Sequence, residues 1–139
     1  MGASFVVESR ETYRISTDAD VVRVRQSVRT VALSAKLSLI DQTKLVTAAS
    51  ELARNTLVHG GGGDATIEVV TAGHQHGVRV SFVDTGPGIA DVSLALTDGW
   101  SSGSGLGLGL SGARRLVDHF ELQSDPGAGT SVSVVKWAR

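Results

Sequence analysis

Cysteine is missing from all 139 residues, which excludes disulfides, thiolate nucleophiles and cysteine-ligated zinc together. Proline occurs only twice, and aromatic residues make up 4% of the chain, so Val, Leu, Ile and Ala must fill the interior. An excess of one charge is absent too: 13 basic residues stand against 14 acidic ones, a formal net charge of −1. That balance gives no electrostatic footprint for nucleic acid. No apolar run approaches the roughly 18 residues of a membrane span. The opening MGASFVVESRE reaches a charge before any stretch of signal-peptide length. Val6 also occupies the place where a myristoylation signal needs Ser or Thr. The expectation is a soluble, cytoplasmic protein with neither a membrane nor a nucleic acid as partner.

What is present is a globular composition, 41% hydrophobic and 19% charged, in a length that suits one domain over residues 1–139. FVVESRETYRI (5–15) has the enrichment of a strand. Asp18 is placed to cap a helix whose Val21, Val24, Val28, Val31 and Ala35 recur three and four apart. Ser38 and Asp41 have the spacing of a capping box for a second helix running to His59, with Gly60 as its C′ residue and 60–63 as the following turn. DATIEVVTA and VRVSFVD, joined across GHQHG, predict a hairpin. A short helical stretch is expected over 91–97 and a third helix over GARRLVDHF (112–120). ELQSD, PGAG and TSVSVVKW then read as strand, turn and strand. The fold class expected is α+β: a two-layer sandwich, with a mixed, mainly antiparallel sheet and helices on one face.

Three clusters are candidates for chemistry. Glu51 and Asn55, four apart in SELARN, point the same way from the second helix, beside the apolar stripe Leu45, Ala49, Leu52, Ala53 and Thr56. They read either as a solvated polar edge or as a carboxylate and carboxamide at a cleft, able to take a proton and to ligate Mg²⁺. In VDTGPGI, Asp84 emerges from an apolar strand and Gly86 and Gly88 bracket a proline. This is either a plain turn or a half-buried carboxylate awaiting a donor, with room for a flat ring against the backbone. The third cluster is SSGSGLGLGL (101–110). A flexible linker does not suit its interleaved Leu106, Leu108 and Leu110, and there is no G-K-[ST] for a P-loop. Residues 107–112 match G-x-G-x-x-G, but no strand precedes them and too little chain follows for a doubly wound sheet. What remains is a glycine loop feeding a helix N-terminus, suited to phosphate. His59, His74, His76 and His119 form no convincing metal set.

In order along the chain, SELARN, VDTGPGI, GLGLGL and GAGT (127–130) resemble the nucleotide-binding motifs of the GHKL (Bergerat-fold) ATPase and kinase superfamily. The likeness spans nearly the whole chain. Within the superfamily it is most similar to the small stand-alone serine/threonine kinases of bacterial partner-switching and stressosome systems, and next to the anti-sigma-factor kinases. The resemblance implies ATP and Mg²⁺ as cofactors and a protein kinase as activity. It implies Asp84 as the adenine-reading aspartate, with Gly86 and Gly88 giving the ring room and Thr130 sharing a water with that carboxylate. It further implies Asn55 as the Mg²⁺ ligand, Glu51 as the general base, and Gly105, Gly107 and Gly109 as lid glycines over the phosphates. The partners implied are a STAS-domain antagonist or scaffold protein, phosphorylated on Ser or Thr, and the regulatory region of a PP2C-type phosphatase that the released kinase activates. In the anti-sigma case the second partner is a sigma factor held inactive. A nucleotide-gated binding switch without transfer is the rival reading, and Glu51 is the residue that discriminates the two.

Overall fold

The structure, a computed structural model, describes residues 5–89, 96 and 109–139. Five strands form one sheet: β1 (Val6–Ile15), β2 (Gly63–Ala72), β3 (Gln75–Asp84), β4 (His119–Asp125) and β5 (Gly129–Trp137), in the order β1-β2-β3-β5-β4. Every pairing is antiparallel, so the mixed sheet expected from the sequence is antiparallel throughout the described residues. Helices α1 (Asp18–Ser34), α2 (Leu39–Val58) and α3 (Gly109–Arg115) complete the described elements.

Alternation along the strands decides which face is covered. Ala65, Ile67, Val78, Val80, Phe82, Val132 and Val134 point to the helices and join Val24, Val28, Leu45, Ala49 and Leu52 in one buried core. The opposite face carries Thr12, Thr66, Ser81 and Ser133 in one register row, with a small apolar cluster of Val70, Val135 and Trp137 toward one end. Glu68, on that second face, is only 4% exposed because Arg10 and Arg79 close on it from the neighbouring strands at 2.8 and 2.7 Å. Burial would raise its carboxyl, but the hydrogen bonds from Arg79 and Arg10 outweigh that and hold it below the ordinary 4.5.

Several boundaries differ from the sequence reading, each for a local reason. Thr17, not Asp18, is the N-cap of α1; its hydroxyl accepts from the Asp20 N–H, and Asp20 reaches back to the Ser16 and Thr17 N–H groups. The Ser16 N–H foremost, with the Ser16 hydroxyl and Thr17 adding to it, keeps the Asp20 carboxyl below its ordinary value. Ser38 caps α2 as expected, accepting from Asp41 N–H at 3.1 Å. The turn between β2 and β3 shrinks to Gly73 and His74, since Ala72 pairs with Gln75. Helix α3 starts at Gly109, three residues early, because Leu110 and Ala113 turn into the core. It ends at Arg115 and not at Phe120: Leu116 N–H bonds Ala113 carbonyl, and Asp118 N–H is taken by Val135 carbonyl, which pulls the chain into β4. The helical stretch expected over 91–97 lies outside the described residues apart from Leu96.

At the far end of the sheet, Lys136 is 5% exposed and sits between Asp41 at the start of α2 (3.5 Å) and Asp118 before β4 (3.4 Å). Arg139 joins both carboxylates, and Asp118 also accepts from Trp137 N–H at 2.8 Å. This network ties the last strand to the first turn of α2.

Candidate functional site

Asp84 is the last residue of β3 and pairs across the ladder with Gly63 on one side and Thr130 on the other. Its Oδ1 accepts from Gly86 N–H at 3.0 Å and from Thr130 N–H at 3.2 Å. Its Oδ2 has no donor among the described residues. A half-buried carboxylate fixed through one oxygen can still accept a hydrogen bond at the other.

The surroundings of that carboxylate are main chain. A Cβ placed on Gly60 would lie 2.4 Å from Asp84 Cγ, and one on Gly86 would lie 2.8 Å from Gly60 Cα. One on Gly129, whose φ is +91°, would lie 2.1 Å from the Asp84 carbonyl oxygen. Three segments distant in sequence, the end of α2, the loop after β3 and the start of β5, thus meet as bare backbone. Gly88, with φ +75°, approaches the Asp125 carbonyl in the same way. The loop is then pinned to the β4–β5 turn: Gly127 N–H donates to Pro87 carbonyl at 2.7 Å and Ile89 N–H to Ser124 Oγ at 2.7 Å. Ser124 Oγ also meets Thr130 Oγ1 at 2.9 Å. Thr130 therefore touches Asp84 through its N–H, and its hydroxyl lies against Ser124.

Glu51 and Asn55 stand one turn apart on the last half of α2, both half-buried, at the border of the apolar stripe. Leu45, Ala49, Leu52, Ala53 and Thr56 are all buried beside them. Neither the Glu51 nor the Asn55 side chain has a partner among the described residues. Asn55 carbonyl accepts from His59 and Gly60 N–H at 2.9 and 3.1 Å, and this closing turn delivers Gly60 onto Asp84. Helix α2 therefore connects the Glu51–Asn55 pair to the Asp84 cradle through one rigid element. Gly60 is not the left-handed residue of the turn; Gly61 (φ 73°) and Gly62 (φ 106°) are.

Of the three glycines expected over the phosphates, Gly109 opens α3 with φ 67°, while Gly105 and Gly107 lie outside the described residues. Among the described residues no group of three His, Cys, Asp or Glu could hold a metal ion. Gly60, Gly129 and Ser124 escaped the sequence reading. Gly60 was visible only as a helix C′ residue, since nothing in a sequence reports that a side chain at one position would collide with another 24 residues on.

Comparison with known proteins agrees with this geometry. Residues 40–138 match the family described as Histidine kinase-, DNA gyrase B-, and HSP90-like ATPase. The serine/threonine-protein kinase RsbT of Bacillus subtilis is 42% identical over 126 residues, covering 91% of this chain and 95% of RsbT. Among solved structures, the RsbU and RsbW domains of Rv1364c from Mycobacterium tuberculosis align with a TM-score of 0.65 and 21% identity. That match covers 94% of this chain, which spans only 33% of the larger protein, and it supports the fold. A main-chain cradle around a half-satisfied aspartate, an acid and an amide on the adjoining helix and a kinase relative of almost equal length converge: this chain belongs to the Histidine kinase-, DNA gyrase B-, and HSP90-like ATPase family, as a serine/threonine-protein kinase similar to RsbT.

Proposed function

We propose that the chain works in the cytoplasm, binding ATP with its adenine against Asp84 and transferring the terminal phosphoryl group to a Ser or Thr of a STAS-domain partner. The observation that carries this reading is the Asp84 carboxylate, held through Oδ1 by two N–H groups, with no donor to Oδ2 among the described residues. An exocyclic amine is the matching donor, and the glycines at 60, 86 and 129 let three backbone segments close against Asp84 and fix its carboxylate where a side chain would displace it. Gly88 shapes the same loop, and Thr130 supports Asp84 through its amide.

Phosphoryl transfer asks for positioning and charge neutralisation more than covalent chemistry. In this proposal Asn55 holds Mg²⁺ together with the triphosphate, and that ion supplies the charge neutralisation. Glu51, one turn earlier on the same face, accepts the proton of the incoming hydroxyl. Gly105, Gly107 and Gly109 cover the phosphates. The released kinase then engages the regulatory region of a PP2C-type phosphatase.

The test is transfer of label from γ-labelled ATP, with Mg²⁺, to the STAS-domain proteins of the source organism, with Glu51→Ala run alongside. Label on a Ser or Thr of one such protein, absent with the variant, is the expected result. Binding of ATP without transfer would replace the kinase by a nucleotide-gated switch, and no ATP binding would overturn the reading altogether.

A further inference from the structure

Among the described residues, the three most exposed large aliphatic side chains fall at one corner, while the exposed valines Val6, Val22, Val58 and Val83 are scattered along the chain. Leu33, near the end of α1, is 64% exposed, and Leu39 and Ile40, in the first turn of α2, are 72% and 68% exposed. They flank the turn at Ala35–Ser38, where Lys36 takes φ 65°. Surface apolar residues scattered singly need no explanation, but three within eight positions of one corner do.

The charge at this corner is one-sided. Between Val21 and Lys44 the sequence carries Arg23, Arg25, Arg29, Lys36 and Lys44 against a single acid, Asp41. Asp41 is buried and committed to Lys136 and Arg139, and Arg23 is paired with Asp20. Arg25, Arg29, Lys36 and Lys44 are exposed and have no ion pair among the described residues. In a chain whose overall charge is −1, this is a local excess of unpaired cations around an apolar centre.

The corner also leads to the candidate site. Ile40, Lys44, Thr47 and Glu51 recur at spacings of four, three and four, which places them in one stripe along α2. Ile40, Lys44 and Thr47 are exposed and Glu51 half-buried. Eleven residues of helix separate Ile40 from Glu51, about 16 Å. Three aliphatic side chains offer a few hundred Å² at most, short of the ~800 Å² per partner of a stable specific interface. An anchor for a transient contact fits this size better than a subunit interface.

From these observations we infer that the α1–α2 corner is a docking surface for the protein substrate, which presents an acidic surface with an apolar centre and extends along the exposed stripe of α2 to bring its hydroxyl to Glu51. This rests on the kinase reading above. Lys36, Lys44 and Arg29 attract and orient the acidic rim, Leu33, Leu39 and Ile40 seat the apolar centre, and no group at the corner takes part in the transfer itself.

The experiment measures phosphotransfer to the unphosphorylated form of the STAS-domain protein that the native chain labels, for the native chain, for K36E/K44E and for Ile40→Ser, with ATP affinity and circular dichroism as controls. All three positions are exposed, so native-like spectra are expected. The charge reversal should raise KM for the protein substrate about ten-fold or more with kcat and ATP affinity unchanged, and should flatten the rise of KM with salt expected of the native chain. Ile40→Ser should raise KM several-fold and leave the salt dependence intact. Transfer by the native chain with KM unaltered in both variants overturns the docking surface and leaves the kinase reading standing. A concentration-dependent dimer that Ile40→Ser abolishes, with KM unaltered, assigns the corner to self-association and overturns the proposal as well. Failure of the native chain to bind or phosphorylate any STAS-domain protein overturns both.

Discussion

Adding one methyl group at Gly60 should damage nucleotide binding without replacing any residue assigned to chemistry. The new Cβ would stand 2.4 Å from Asp84 Cγ and 2.5 Å from Oδ2, where ordinary contact begins near 3.4 Å. The carboxyl group must therefore retreat by 1.0 Å (3.4 − 2.4) or the end of α2 must lift by as much. Oδ1 bonds at 3.0 and 3.2 Å, so a shift of that size away from either donor breaks the bond. A hydrogen bond to a charged group contributes about 1.5–3 kcal/mol. Against this, Gly60 has a φ outside the left-handed region, so alanine reduces unfolded-state entropy and gains about 0.4–1 kcal/mol. The net expectation is a stability loss of about 1–2 kcal/mol. ATP affinity should fall about ten-fold or more, since ~1.4 kcal/mol corresponds to a factor of ten. Titration calorimetry with ATP and a urea melt on the same preparation separate the two effects. A folded Gly60→Ala protein with native ATP affinity would refute the main-chain cradle as the ligand site.

Asp84→Asn turns an acceptor-only group into one that presents a donor, and ATP affinity measured by calorimetry should drop about ten-fold or more. Glu51→Ala should retain ATP binding in the same calorimeter and lose transfer in the label assay; native turnover would remove Glu51 as the base. Lys36→Gly relieves a left-handed residue at the end of α1 and should stabilise the fold by about 0.5–1 kcal/mol in a urea melt, with a lower midpoint counting against the strain. For Glu68 the folded carboxyl lies below its ordinary 4.5, so its contribution is present above that pH and is lost as pH falls through the lowered value. Glu68→Gln should cost about 1–3 kcal/mol at pH 7 and progressively less as pH falls below the ordinary carboxylate range, and a cost that does not change with pH would contradict the ion-pair account.

The parts of the molecule that were legible in the sequence are those fixed by local periodicity. The three-and-four spacing of Val21, Val24 and Val28, and of Leu45, Ala49 and Leu52, predicted two helices whose stripes are in fact buried. The run VRVSFVD predicted a strand, and its Val78, Val80 and Phe82 are buried while Val83 is exposed. The four-residue gap between Glu51 and Asn55 placed both at the edge of α2, where they are half-buried. Helix α3 was misplaced because glycine argues against helix locally, whereas burial of Leu110 and Ala113 decides the matter through tertiary contact. The insertion of β5 between β3 and β4 has no local signature, and it is this order that sets Thr130 beside Asp84. Glu68 was indistinguishable from an exposed strand residue, since its burial is made by Arg10 and Arg79 on two other strands.

The three lysines of the chain are unequally placed, and this bears on how the protein can be handled. Lys136 is shut in between two carboxylates, whereas Lys36 and Lys44 stand in water. Apart from the terminal amine, acylating reagents will therefore find only one neighbourhood. Coupling through amines to a sensor surface or a dye will orient or cover the molecule at the α1–α2 corner, so partner measurements made that way are blind to this side. Used deliberately, the same asymmetry turns mild acetylation into a footprint: a ligand that shields both accessible lysines while leaving the nucleotide end free reports its own position by mass alone.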